Sequence, residues 1–192
     1  DTAGNVLWVR TAGGDCPNDS ELYNSIAVDP SGDRVVVTGN HNCNVIWFGN
    51  ISVAGSGTTE PRDAYIAAYD SAGTVLWAAS AQGFDVRPGE VLLDEDHNTF
   101  WFGGAVTMSA VFNADVPVAV PAGGFVAKYS PSGDLLFAER WLTNGIISDA
   151  DQYGTNAWVL CGSGRTGAEF NGVPLGLASA YRDGWLAAVD TG

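Results

Sequence analysis

The chain has 192 residues, 46% of them hydrophobic and 11% aromatic, enough for a sizeable core and too many for a disordered segment. Its net charge is −14, from 22 acidic residues against 8 basic ones, which argues against nucleic acid and against an anionic membrane surface as partners. No apolar run approaches the ~18 residues of a spanning helix, so membrane insertion is not expected.

The predicted elements are strands throughout. Helical periodicity nowhere persists over the ~11 residues that a helix requires, and 25 Gly and 8 Pro punctuate short β-branched and aromatic runs. In chain order, "NVLWVR" at 5–10 reads as a first strand and 13–22 as a loop. "SIAVDPSGDRVVVTG" at 25–39 is two apolar runs around an Asp/Gly turn, which is a hairpin signal. After a loop at 40–45 and Phe48-Gly49, "DAYIAAY" at 63–69 turns through Asp70-Ser71-Ala72-Gly73 into "TVLWAAS".

The same order then returns. A loop at 82–90 leads to the hairpin "EVLLDEDHNTFWFGG", a loop at 104–110, Phe112-Asn113, "GGFVAKY" and the turn Ser130-Pro131-Ser132-Gly133. "DLLFAER" opens a third copy, with loops at 142–150 and 162–168, the hairpin "ISDADQYGTNAWVLCG", Phe170-Asn171 and "DGWLAAV". Copies start at Asp1, Asp70, Ser130 and Asp190, with offsets of 69, 60 and 60. Four short antiparallel strands in each ~60 residues is the size of one β-propeller blade. The expected fold is therefore all-β: one propeller segment with repeats at about 1–69, 70–129 and 130–189, and a fourth beginning at 190.

The pattern "DAYIAAYDSAGTVLWA … IAVDPSGDRVVVTG … FG" resembles the bacterial SBBP-type β-propeller repeat over essentially the whole chain, least well at 144–162. The resemblance implies a propeller fold and an extracellular or cell-surface bacterial protein, with no catalytic residues. "AAYDSAGTVLW" is also similar to the tryptophan-docking repeat of quinoprotein propellers, through Ala68, Asp70, Gly73 and Trp77, but lacks its Thr and is one residue short. No cofactor is expected on that account. Asp70, Gly73, Trp77 and their counterparts Trp8, Gly133 and Phe137 read instead as turn and packing positions between blades.

Propellers close with ~4–8 blades, so three repeats need a partner: further blades, or a second copy of the chain. The chain starts in mid-pattern at Asp1, without an initiator Met or signal peptide, as expected of a mature or excised segment. Antiparallel strands put the short turns at 30–32, 71–73 and 131–133 on one face and the variable loops on the other. That loop face is the expected recognition surface.

Three cysteines allow one bridge; Cys16 and Cys43, both in loops of the first repeat, are the expected pair, implying an oxidising compartment, while Cys161 reads as a small core residue. Asp29, Asp33, Asp94 and Asp96 stand at spacings that could serve Ca²⁺, though they lack the full loop pattern and suit Asx turns equally. His41 and His97 fall on opposite faces, and no nucleophile elbow, phosphate loop or HExxH is present. Trp47 and Trp141 fall outside the regular pattern and are candidates for stacking on a sugar. The expected function is a non-catalytic extracellular module for protein interaction or surface assembly. A carbohydrate-binding propeller is the alternative, ahead of a fragment of a propeller enzyme.

Overall fold

The structure is a computed structural model; it describes residues 3–15, 22–57, 62–94, 96, 98–112, 117–153, 157–178 and 180–190. The described residues form strands and no helix. They are β1 (Ala12–Gly14), β2 (Leu22–Val28), β3 (Arg34–His41), β4 (Val45–Phe48), β5 (Ile51–Ala54), β6 (Asp63–Asp70), β7 (Val75–Gly83) and β8 (Val86–Leu93). The second half adds β9 (Thr99–Phe112), β10 (Val118–Tyr129), β11 (Leu135–Leu142), β12 (Gly145–Gln152), β13 (Ala157–Gly164), β14 (Glu169–Phe170), β15 (Val173–Pro174) and β16 (Asp183–Asp190).

Every pairing is antiparallel. β2, β3, β6 and β7 lie side by side in that order, as do β8, β9, β10 and β11. The end of β7 pairs with β9 and joins these two four-stranded sheets, with β14 and β15 at the edge of β11, into one ten-stranded ladder, while β1, β4 and β5, and β12, β13 and β16, form three-stranded sheets. The strand after each short turn thus pairs with the strand before it, so the sheets are phased one strand later than repeat boundaries at Asp70 and Ser130. The expected hairpins at 25–39, 90–104 and 147–162 are β2–β3, β8–β9 and β12–β13.

Two expectations change. Residues 4–11 form no strand: β7 and β11 each pair with the strand just before them, and nothing occupies that place beside 5–10 among the described residues. The expected loop at 104–110 is the distal arm of β9, which pairs onward with β10 at Val118–Pro121; most of 82–90 and 142–150 is likewise strand. Each of these stretches is too rich in Gly and polar residues to show a two-residue alternation, yet each finds a ladder partner.

The sheets stack face to face, and alternation along each strand assigns its faces. On β6, Ala64, Ile66 and Ala68 join Trp101, Phe125, Ala127 and Tyr129 in one core, while Tyr65, Ala67 and Tyr69 point to the opposite side with Ile46 and Phe48. Val126 and Phe100 face on to Trp158, Leu160 and Trp185 in the next core.

A close approach recurs within the sheets. Gly39 lies directly opposite Tyr65, Gly103 opposite Phe125, and Gly162 opposite Trp185. A Cβ on Gly103 would fall inside the Phe125 ring, one on Gly39 would strike the Tyr65 phenol, and one on Gly162 would meet the Trp185 indole. The aromatic side chain therefore lies down across its glycine neighbour, a device that restores packing where the strand has no side chain. Against each of these rings stands one phenylalanine: Phe48 on Tyr65 at 5.0 Å, Phe112 on Phe125 at 4.9 Å and Phe170 on Trp185 at 5.3 Å between centroids.

Gly103→Ala is expected to lower unfolding free energy by about 1–3 kcal/mol, because the Phe125 ring has no room to move in a filled core. Gly13→Ala, where nothing lies within 4 Å, is expected to change stability by no more than about 0.5 kcal/mol. Urea denaturation of the two variants checks both values.

Candidate functional site

The residues singled out for turn and packing roles come together at the junctions between sheets. Asp70 accepts hydrogen bonds on Oδ1 from the amides of Ala72 (2.9 Å) and Thr74 (2.7 Å), and its carbonyl accepts from Gly73 N–H at 2.9 Å. Gly73 completes this turn at φ +76°, and Gly133 does the same at φ +92° in the turn from Ser130, both in the left-handed region that a side chain disfavours. The glycine also leaves a flat place on the turn. The Trp77 indole fills it at Gly133, donates to the Pro131 carbonyl at 3.2 Å and stacks on Tyr129 with centroids 5.6 Å apart. Trp8 sits in the same way on Gly73, donating to Ser71 O at 3.0 Å and stacking on Tyr69 at 6.4 Å. Phe137 holds the corresponding position on β11 and packs into the core shared with Trp158 and Trp185.

A second contact reinforces each junction. Ala81 on β7 pairs with Phe112 on β9, Leu142 on β11 pairs with Phe170 on β14, and Ala12 on β1 pairs with Phe48 on β4. The phenylalanine that stands on the glycine–aromatic pair is thus also the residue that accepts the end of the preceding strand. The sequence singles out these three phenylalanines but specifies no partner for them. Their common place before Gly or Asn was the available signal.

The other candidates are dispersed. Asp29 is buried, pairs with Arg34 at 3.4 Å, and accepts from the Ser31 amide and hydroxyl. Asp94 accepts from the Asn98 amide at 2.7 Å and pairs with Lys128 at 3.2 Å. These carboxylates are therefore engaged in turns and ion pairs, Asp33 and Asp96 are exposed, and no group of three His, Cys, Asp or Glu with metal-holding geometry occurs among the described residues. Trp47 is half-exposed on β4, whereas Trp141 packs edge-on against Phe170 at 6.1 Å; the fold does not bring them together. The expected Cys16–Cys43 pairing falls on Cys16, outside the described residues; Cys43 is fully buried, and Cys161 is the free cysteine among the described residues. Cys161 is half-buried between Asp149 and Leu186 on the outer face of β13, not in the core. His41 is fully buried, and His97 lies outside the described residues.

Two places remain open. β16 pairs with β13 on one side and ends its sheet on the other, whereas β6 and β10, in the same position, carry β7 and β11. The segment at 5–10 holds on through Trp8 and Arg10, which donates to Gly73 O, while Val6, Leu7 and Val9 are 76%, 74% and 69% exposed. The second place is a cleft between the first two four-stranded sheets, lined from β2, the end of β3, Arg62, the β7–β8 connection and the start of β8. No protein-family model matches the chain, and no curated protein sequence is significantly similar to it.

Two outcomes test the junction. Trp77→Ala is expected to cost about 3–5 kcal/mol and Trp77→Phe about 1–2 kcal/mol, the latter through the lost bond to Pro131 and a smaller ring, read by urea denaturation. Burial raises the Tyr129 phenol pKa well above 10.0, and burial followed by the neighbouring Tyr23 phenol raises that of Tyr69. A phenol whose folded pKa is raised stabilises fully below its unfolded value and loses that contribution as pH climbs past it. Stability is therefore expected to fall above about pH 10, with Tyr129 ionising only on unfolding in an absorbance titration.

Proposed function

We propose that the chain is a β-propeller segment of the SBBP type, serving as a non-catalytic extracellular module for structural assembly. In this reading β2–β3–β6–β7 and β8–β9–β10–β11 are blades, and β12–β13–β16 is a blade that lacks its outer strand. The observation that carries it is the junction itself. Between the first two of these blades, Trp77 on Gly133 and the pairing of Ala81 with Phe112 act together; the pairing of Leu142 with Phe170 repeats the second contact after β11, and Trp8 on Gly73 repeats the first, as expected of a repeated interface.

The missing strand has a sequence specification. Ala68 pairs with Trp77 and Lys128 with Phe137, so Ala188, the equivalent residue of β16, calls for a strand centred on a residue equivalent to Trp8. In a solution of this chain, a second copy supplies it through 5–10. That pairing sets Val9 opposite Ala187 and Val6 opposite Val189, two residues already packed at the rim of the Trp158–Trp185 core. Each valine would move from solvent into that core, contributing about 1.5–3 kcal/mol.

The purified chain is expected to run as a particle larger than its 20.0 kDa monomer by light scattering. The double variant Val6→Asp/Val9→Asp is expected to be monomeric with an unchanged circular-dichroism spectrum, since both side chains are exposed within one chain, and to melt at a temperature that does not depend on protein concentration. A wild-type chain that stays monomeric at all concentrations would refute assembly through this edge.

A further inference from the structure

The cleft between the first two sheets, about 580 Å³, is not used by the junctions or by the open edge. Its walls include Asn24, Asn40, Arg62, Phe84, Asp85 and Arg87. Asn40, 5% exposed near the end of β3, forms part of its floor. The cavity is of the size that takes a small ligand.

The surrounding groups say what that ligand carries. Phe84 is 50% exposed at the β7–β8 connection and offers an apolar face. Arg62 is exposed and has no carboxylate partner among the described residues. Arg87 is held by Asp85 through bonds of 2.8 and 3.1 Å, which fixes that carboxylate beside the opening as an acceptor. A second cleft on the third sheet repeats part of this set, with Arg182 preceding Asp183 as Arg62 precedes Asp63, and Asn144 at φ +49° where Asp85 has φ +56°. Arg62, Arg87, Arg165 and Arg182 are four of only 8 basic residues in the chain, so cationic groups are concentrated at these two clefts.

We infer that the first cleft binds a carboxylated saccharide, of the uronic acid class. The ligand carboxylate pairs with the Arg62 guanidinium, a ring hydroxyl donates to the Asp85 carboxylate, and the C–H face of the sugar lies on Phe84. A long polyanion is disfavoured by the net charge of −14, so the ligand is a short acidic oligosaccharide or a chain end. This site is independent of the assembly reading: neither Val6 nor Val9 borders it.

The test is isothermal titration of the intact chain with digalacturonate, with the neutral disaccharide cellobiose, and with a short oligoglutamate peptide, at low and high salt. Digalacturonate is expected to bind, cellobiose to bind at least about tenfold more weakly, and the peptide not to bind. Arg62→Gln and Phe84→Ala are each expected to weaken digalacturonate binding at least about tenfold, with the melting temperature unchanged because both side chains are exposed. Absence of digalacturonate binding at millimolar concentration overturns the proposal. So does binding that Arg62→Gln leaves intact, or equal binding of the peptide, which would reassign the cleft to acidic protein segments. Running the same titrations on the monomeric Val6→Asp/Val9→Asp variant separates failure of this site from failure of assembly.

Discussion

A ring laid across a glycine is the contact on which the rest of this structure depends. At Gly103 the absent side chain lets Phe125 lie flat on the neighbouring strand, and the flattened ring becomes the floor on which Phe112 stands. Phe112 in turn fixes the distal arm of β9, and that arm receives the end of β7. An alanine-sized obstruction at the bottom of this stack would lift the ring, tilt the arm and uncouple two sheets. The same dependence runs through Gly39, Tyr65 and Phe48 and through Gly162, Trp185 and Phe170. Small and large side chains are complementary across the strand pair, and neither has the same worth alone.

The opposite side of the junction is built by a different rule. There a left-handed glycine closes a turn and an indole covers it: Trp77 of β7 on Gly133, and Trp8 of the segment at 5–10 on Gly73. Pro131 shows how concentrated this contact is, since its carbonyl accepts from both Trp77 and the buried Arg34 guanidinium. Arg34 is held by Asp29 within its own turn, so a charge placed by local turn chemistry also reaches the next sheet. An acidic surface and a well-packed interior are thus reconciled by using scarce basic residues at points of contact.

Much of this was legible in the sequence, for reasons that differ by feature. Hairpins such as β2–β3 are local: apolar runs, a turn and a glycine sit within fifteen residues and specify one another. The tryptophan-on-turn junction was legible because Trp8, Trp77 and Phe137 recur at the same distance from the same turn. The glycine–aromatic pairs were not, because Gly39 and Tyr65 are partners only across a ladder whose register no local window contains. The strand expected at 5–10 failed for a related reason, since propensity gives a strand its shape but a ladder needs a neighbour. The cleft was foreseen only as a face. Asn40, Arg62 and Phe84 are far apart in sequence, and only the packing of β2 and β3 beside β8 sets them round one cavity.

The pairing of each strand end with the hairpin of the next sheet has a mechanical consequence. Force drawn along the chain does not peel one sheet from its neighbour at an apolar face alone. It must also break backbone hydrogen bonds of the kind between Ala81 and Phe112. Sheets tied in this way share load across their boundaries, so the weakest element under tension is a segment that belongs to no ladder, such as residues 5–10 with their Trp8 and Arg10 side-chain tethers.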